Sequence, residues 1–325
     1  MPCAHLFPSP RTTPMTKDRN LQKWLNALML TFLALTLVFT ACKKDDEDDG
    51  NKSERNDNKN DASNEPAVAR LEFPKLNKDY CELLIHTTND AWGINYCVEW
   101  DKEKKSQRWS CYQMNSATNV TNTSRYSSDD NQYPMDPLLS ATYYPSRDYY
   151  YSSGFDHGHI CPSADRLYSD KANYQTFFLT NMQPQYPAFN GSLKDANLNK
   201  RSPWYRLESQ VRSWANATTT EMLYVVKGGT IDDDKIIKKI GGELRVPMYF
   251  FVALLLKNAQ GYKAVGFWME HKSSYAQEEP LSSYAMNIRT LEQKTGIDFF
   301  CNLPDNTEEH VETLPVENVK KAWGL

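Results

Sequence analysis

The 325-residue chain has no Cys-x-x-Cys pair, no internal repeat, and only 13 glycines and 17 prolines. The missing cysteine pairs argue against a structural zinc knuckle, and the sparse Gly and Pro exclude a collagen-like or low-complexity chain. Positive charge is not in excess either. Lys+Arg 37 against Asp+Glu 41 give a formal net charge of -4, which excludes a uniformly basic nucleic-acid coat protein. Histidine is scarce, at 6. What is present is 40% hydrophobic and 12% aromatic residues, ample for a core, so wholesale disorder is excluded too. The length fits one or two domains.

One long apolar run occurs, Trp24 to Ala41, preceded by Lys17, Arg19 and Lys23 and followed at once by Cys42. It reads as a secretory signal, with a membrane-spanning helix as the alternative. Thr40-Ala41-Cys42 resembles the lipobox of bacterial lipoproteins, which implies that residues 1–42 are a signal ending at an acylated Cys42. Met15 is the better-placed start. The stretch Lys43 to Pro66 carries 5 Lys/Arg and 9 Asp/Glu with few apolar side chains, so residues 43–70 read as a solvated acidic tether. The lysines and acids after the lipobox resemble the export signal of surface lipoproteins. The expected location is the outer membrane, at the cell surface or facing the periplasm, with a lipid anchor as the membrane contact. Cys81, Cys97, Cys111, Cys161 and Cys301 then lie in an oxidising compartment, an odd count that leaves a free thiol or an intermolecular bridge.

Residues 71–325 read as one α+β domain with a central antiparallel sheet flanked by helices. Gly93–Trp100 and Arg108–Gln113 alternate about a charged connection, which predicts a hairpin. Met222–Val226 is a short buried strand. Tyr249–Leu256 and Tyr262–Met269 flank a turn-like segment and are expected side by side at the sheet centre. Trp204, Leu207, Val211 and Trp214 fall at helical spacing behind Pro203. A second helix over 287–294 should stop at Gly296.

The segment Phe155-Asp-His-Gly-His-Ile-Cys161 places two of the six histidines beside a carboxylate. On a strand, His157, His159 and Cys161 share one face and Asp156 the other. One imidazole can act as general base near neutrality. A zinc site on His-x-His-x-Cys, or a plain polar turn, are the alternatives.

Further along come Asn173-Tyr-Gln-Thr-Phe-Phe-Leu-Thr-Asn-Met-Gln-Pro-Gln185, Asn190 and Trp204-Tyr-Arg-Leu-Glu208. In this order, with Ser124-Arg125 upstream and Val246-Pro247 downstream, the chain resembles the DNA/RNA non-specific endonuclease family from about Trp109 to Pro315. That resemblance implies a ββα-metal nuclease motif and sugar-non-specific hydrolysis of DNA and RNA to 5′-phosphate products. It implies His159 as general base, Asn190 as the direct ligand of Mg2+ (or Mn2+), Glu208 holding the metal's waters, Asn181 supporting the site and Arg125 clamping phosphate. Arg212, four residues after Glu208 on the same helix face, could reach the same phosphate, and Arg206 belongs to the same basic stretch. A catalytically inactive nucleic-acid-binding lipoprotein and a phosphodiesterase for another ester are the competing functions.

Two departures from the family pattern stand out. His157 occupies the position of the usual Arg, where it could face substrate and bind phosphate when protonated. Gly191 to Pro203 is longer than usual and brings Lys194, Lys200 and Arg201 into a local basic patch. Tyr143, Tyr144, Tyr149, Tyr150 and Tyr151 crowd the approach, where they could stack on bases or, as more often, pack a sheet edge.

Overall fold

The computed structural model describes residues 55–89 and 93–325. The signal run, the lipobox with Cys42 and the first part of the acidic stretch lie outside the described residues. Eleven strands are described: β1 Cys81–Thr87, β2 Ile94–Asp101, β3 Ser106–Met114, β4 Asp156–His159, β5 Met182–Gln185, β6 Met222–Gly229, β7 Ile236–Ile240, β8 Leu244–Pro247, β9 Tyr249–Asn258, β10 Gly261–Glu270 and β11 Ala285–Met286. The helices are α1 Asp170–Gln175, α2 Pro187–Asn190, α3 Ala196–Asn199, α4 Pro203–Ala215, α5 Ile288–Thr295, α6 Asp305–Thr313 and α7 Val316–Trp323. Among the described residues no helix is long and apolar enough to cross a membrane.

A seven-stranded antiparallel sheet in the order β1-β2-β3-β6-β9-β10-β11 forms the centre. The expected 93–113 hairpin is β2–β3, and the β9–β10 pair closes on a two-residue connection, with Gly261 opposite Asn258. Each face of the sheet carries its own core. Val98, Tyr112, Val225, Val252, Leu254 and Phe267 pack against Trp204, Leu207 and Val211 of α4 and Val319 and Trp323 of α7. Cys97, Cys111, Val226, Phe251, Ala253 and Leu255 pack against Ile288 and Leu291 of α5 and Val311 of α6. Burial on both faces explains why β9 reads Phe-Phe-Val-Ala-Leu-Leu-Leu, without the alternation of a half-exposed strand. Ser202 caps α4 by accepting from Tyr205 N, and α5 runs from its cap Asn287 to Gly296 in the left-handed conformation, as the sequence predicted.

The expected tether over 43–70 is corrected from residue 55 onward. Asn56 donates to the carbonyls of Cys301 and Leu303, Asn58 to Asp298, and Asn60 to Pro74, while Val68 is buried. The segment is too polar to build a core of its own. Its asparagine amides instead satisfy the carbonyls of Cys301, Leu303 and Pro74 and the carboxylate of Asp298, a kind of docking that hydrophobicity does not register. All five described cysteines are free thiols.

Candidate active site

β4 and β5 form a two-stranded antiparallel unit beside the main sheet, in which Gly158 faces Gln183 and His159 faces Met182. Buried Gln183 ties it to the sheet, donating to the carbonyls of Gln107 and Gly229 and accepting from Gly229 N at 2.6 Å. Gly158 is required by close approach. A Cβ there would lie 2.2 Å from the side chain of Gln185. The exit of β5 into α2 is held by His271, whose Nδ1–H donates to Pro247 O while Nε2 accepts from Tyr186 N at 2.7 Å. Burial pushes this imidazole down to about 4, so it stays neutral and keeps that donor–acceptor polarity.

These elements and α4 surround a cleft of about 660 Å³ that brings together Arg125, Asp156, His159, Asn190, Glu208 and Arg212. His159 is held well below the ordinary histidine range, first by burial and then by the charge of Arg125, so it is neutral at pH 7. The His157 backbone beside the ring offsets this lowering only in part, and Nε2 is a buried atom with no partner. With the proton on Nδ1, the Nε2 lone pair of the neutral ring is free to accept another. Phe177 stands edge-on to the ring, with centroids 4.8 Å apart, and also stacks beneath the guanidinium of Arg125 at 4.7 Å. Among the described residues Arg125 makes no ion pair.

Asn190 Nδ2 donates to Asp156 Oδ2 at 2.9 Å, and Ser192 Oγ bonds the same oxygen. The acceptor fixes the amide orientation and turns Oδ1 away as a free oxygen. Asp156 was expected on the far side of the strand. It reaches the cleft, yet what it does there is orient Asn190. Glu208 Oε1 pairs with Lys227 Nζ at 2.9 Å, and Lys227, with 3% of its side chain exposed, lies 4.2 Å over the Trp204 ring. Among the described residues Glu208 Oε2 accepts no hydrogen bond. Two free hard oxygens, one amide and one carboxylate, suit a divalent cation that retains waters, so the residues present fit magnesium. They do not fit zinc on His-x-His-x-Cys, because Cys161 is fully buried in the core and no described group of three His, Cys, Asp or Glu is placed to hold a metal.

The long 191–203 stretch loops out without separating Asn190 from Glu208. Leu193 and Asn199 bond each other through both amide groups, and Ser202 Oγ donates to Phe189 O. Gly191, at φ 73, ends α2 in a conformation that favours glycine, with the Tyr205 ring packed where a side chain would project.

Two expectations are corrected. His157 lines the cleft, but its side chain is already engaged: its Nε2 contacts Asp148 at 3.0 Å and its ring is stacked between Tyr133 (3.7 Å) and Tyr150 (4.0 Å). Arg206 is not in the cleft. Two residues before Glu208 means about 200° around the helix, and Arg206 instead bonds Glu279 O and pairs with Glu278. Asn181 is fully buried outside the cleft, where it accepts from Cys161 N and donates to Cys161 O and Thr176 O, fastening the chain just past β4. Arg212 does line the cleft, held at 2.9 Å by buried Asp165. Lys227 and His271 were missed. They come from strands and loops distant in sequence, and no local pattern marks either.

A buried sheet flanked by helices, a ββα unit and an Asn–His–Glu cleft define a nuclease-like fold. Residues 88–306 match the DNA/RNA non-specific endonuclease family, and the chain belongs to it. It is 27% identical over 225 residues to a nuclease of Nostoc sp., covering 67% of this chain and 75% of the relative. It is 23% identical to nuclease C1 of Cunninghamella echinulata, covering 66% and 83%, and 30% identical to mitochondrial endonuclease G of Bos taurus, covering 47% and 50%. The fold is shared with a chain from the crystal structure of the EndoG/EndoGI complex, at a TM-score of 0.53 and 21% identity over 68% of this chain and 87% of that one. The protein is a non-specific nuclease, a hydrolase acting on nucleic acids.

Proposed function

We propose that this nuclease cuts DNA and RNA phosphodiesters with His159 as general base and a divalent cation, magnesium or manganese, held directly by Asn190 and through waters by Glu208. The observation that carries this reading is the buried, unpartnered Nε2 of a neutral His159 in the same cleft as the free oxygens of Asn190 and Glu208. Arg125 and Arg212 line that cleft and can orient the substrate phosphate. His159 Nε2 takes a proton from a water that attacks phosphorus. The new phosphorus–oxygen bond forms as the bond to the 3′ oxygen breaks, which leaves a 5′-phosphate and a 3′-hydroxyl protonated from solvent. A cation bound there would stabilise charge on the phosphate and the leaving oxygen. The negative charge of the substrate offsets Arg125 beside His159 and so raises its proton affinity when a proton has to be accepted. The N-terminal lipobox supports an anchor at Cys42 and an outer-membrane location for the mature chain.

The test is an in-gel assay on DNA and RNA with and without a chelator. Cleavage of both polymers should disappear with chelator and return on adding Mg2+. Undiminished cleavage in chelator would contradict the metal-assisted reading.

A further inference from the structure

The five tyrosines between 143 and 151 separate in the structure. Tyr144 and Tyr150 are buried, Tyr143 and Tyr149 are half-buried, and Tyr151 alone stands out at 75% exposure. Its ring lies 6.1 Å from His157 on the wall of the catalytic cleft. A second exposed aromatic, Tyr205, lines the same cleft from α4 at 40% exposure. Its ring covers Gly191, the neighbour of Asn190. Both rings are therefore exposed in the wall that also holds His159, Glu208 and Arg125, one beside the histidine strand and the other beside Asn190. An exposed ring of this size keeps apolar surface in water that folding could have buried, and two such rings in one catalytic cleft mark a binding surface.

We infer that Tyr151 and Tyr205 are specificity-determining platforms on which the bases flanking the scissile phosphate stack, so that the cleft favours unpaired over double-stranded nucleic acid. The inference rests on the hydrolytic reading above and names its substrate class. Aromatic rings hold bases through their π-faces without reading sequence, in keeping with a non-specific nuclease. In a duplex each base already stacks on its neighbours and pairs across the helix, so a protein ring gains access only by unstacking it, at a cost of a few kcal/mol per step. A single strand offers the same face freely. The fixed cations Arg125 and Arg212 serve either form, because backbone charge is common to both. The tyrosines therefore set strand preference, and the arginines set overall affinity.

The test is polynucleotide affinity by fluorescence anisotropy, on the full chain carrying His159→Ala so that substrate persists. A labelled single-stranded DNA oligonucleotide is compared with its duplex. Adding Tyr151→Ala or Tyr205→Ala should weaken single-strand binding roughly 5- to 150-fold, the loss that follows from removing one base–aromatic stack, and change duplex binding less than twofold. Tyr151→Phe and Tyr205→Phe keep the ring and should keep the single-strand affinity. Equal losses on both forms, or Phe variants as weak as the Ala variants, would overturn the platform. Cleavage by the unmodified chain is measured alongside. If that chain cuts neither form, the hydrolytic reading fails, while the binding comparison still decides for or against the platform.

Discussion

The Glu208–Lys227 pair gives the account a quantitative handle. Lys227→Met removes the charge and leaves an unbranched apolar chain that can still lie on the Trp204 ring. Glu208 then keeps a carboxylate whose Oε1 has lost its partner. Breaking one side of a buried ion pair costs about 3–5 kcal/mol. Because 18% of the Glu208 side chain is exposed, water recovers part of this, and a loss of about 2–3 kcal/mol is expected. Glu208→Gln should also destabilise, since it leaves the ammonium of Lys227 buried without its counter-charge. The double change removes both charges and should recover at least about 1 kcal/mol over the sum of the single losses. Urea denaturation of the four proteins reads this coupling directly. Single losses that simply add would refute the pair as the element holding Glu208 in place.

His157→Arg should lower stability by about 1–3 kcal/mol, because the longer side chain carries its planar head beyond the position where the imidazole is stacked between Tyr133 and Tyr150 and overpacks what lies past it. Thermal melts with a binding assay check this, and tighter polynucleotide binding at unchanged stability would contradict it. A carboxylate cluster gives the fold a pH dependence. Burial, followed by neighbouring acids, pushes Glu312 up to about 9, while burial first pushes Glu292 and Glu308 up to about 7. These folded-state values lie above the unfolded one, so the folded chain binds more protons. The stability they lend is full below about 4.5 and is lost as pH rises through 7 and then 9. Glu312→Gln should raise the melting temperature at pH 8 and flatten its fall between pH 5 and 9. Parallel curves for the two proteins would count against the cluster.

Much of the site was legible because its chemistry is local in sequence. Asp156 to His159 forms one short strand, and Trp204, Leu207 and Val211 lie on the core face of α4 while Glu208 and Arg212 face the cleft. In the seven-stranded sheet β2, β3, β6, β9 and β10 could be read from their apolar runs, whereas β1, whose exposed positions carry polar side chains, and the two-residue β11 could not. What periodicity could not supply was side-chain direction. Arg206 shares a helix with Glu208 and points elsewhere, and His157 shares a strand with His159 yet packs between tyrosines. Asn56, Asn58 and Asn60 looked like tether because docking by amide hydrogen bonds leaves no hydrophobic trace. Lys227 lies 19 positions from Glu208, and only the packing of β6 beneath α4 brings the two together.

The central claim is that the unpartnered Nε2 of His159 accepts the proton of the attacking water, and the most direct measurement is the turnover of His159→Ala on DNA at saturating Mg2+. A loss of about 10²- to 10⁴-fold with polynucleotide affinity retained is expected. Turnover close to that of the unmodified protein would contradict it.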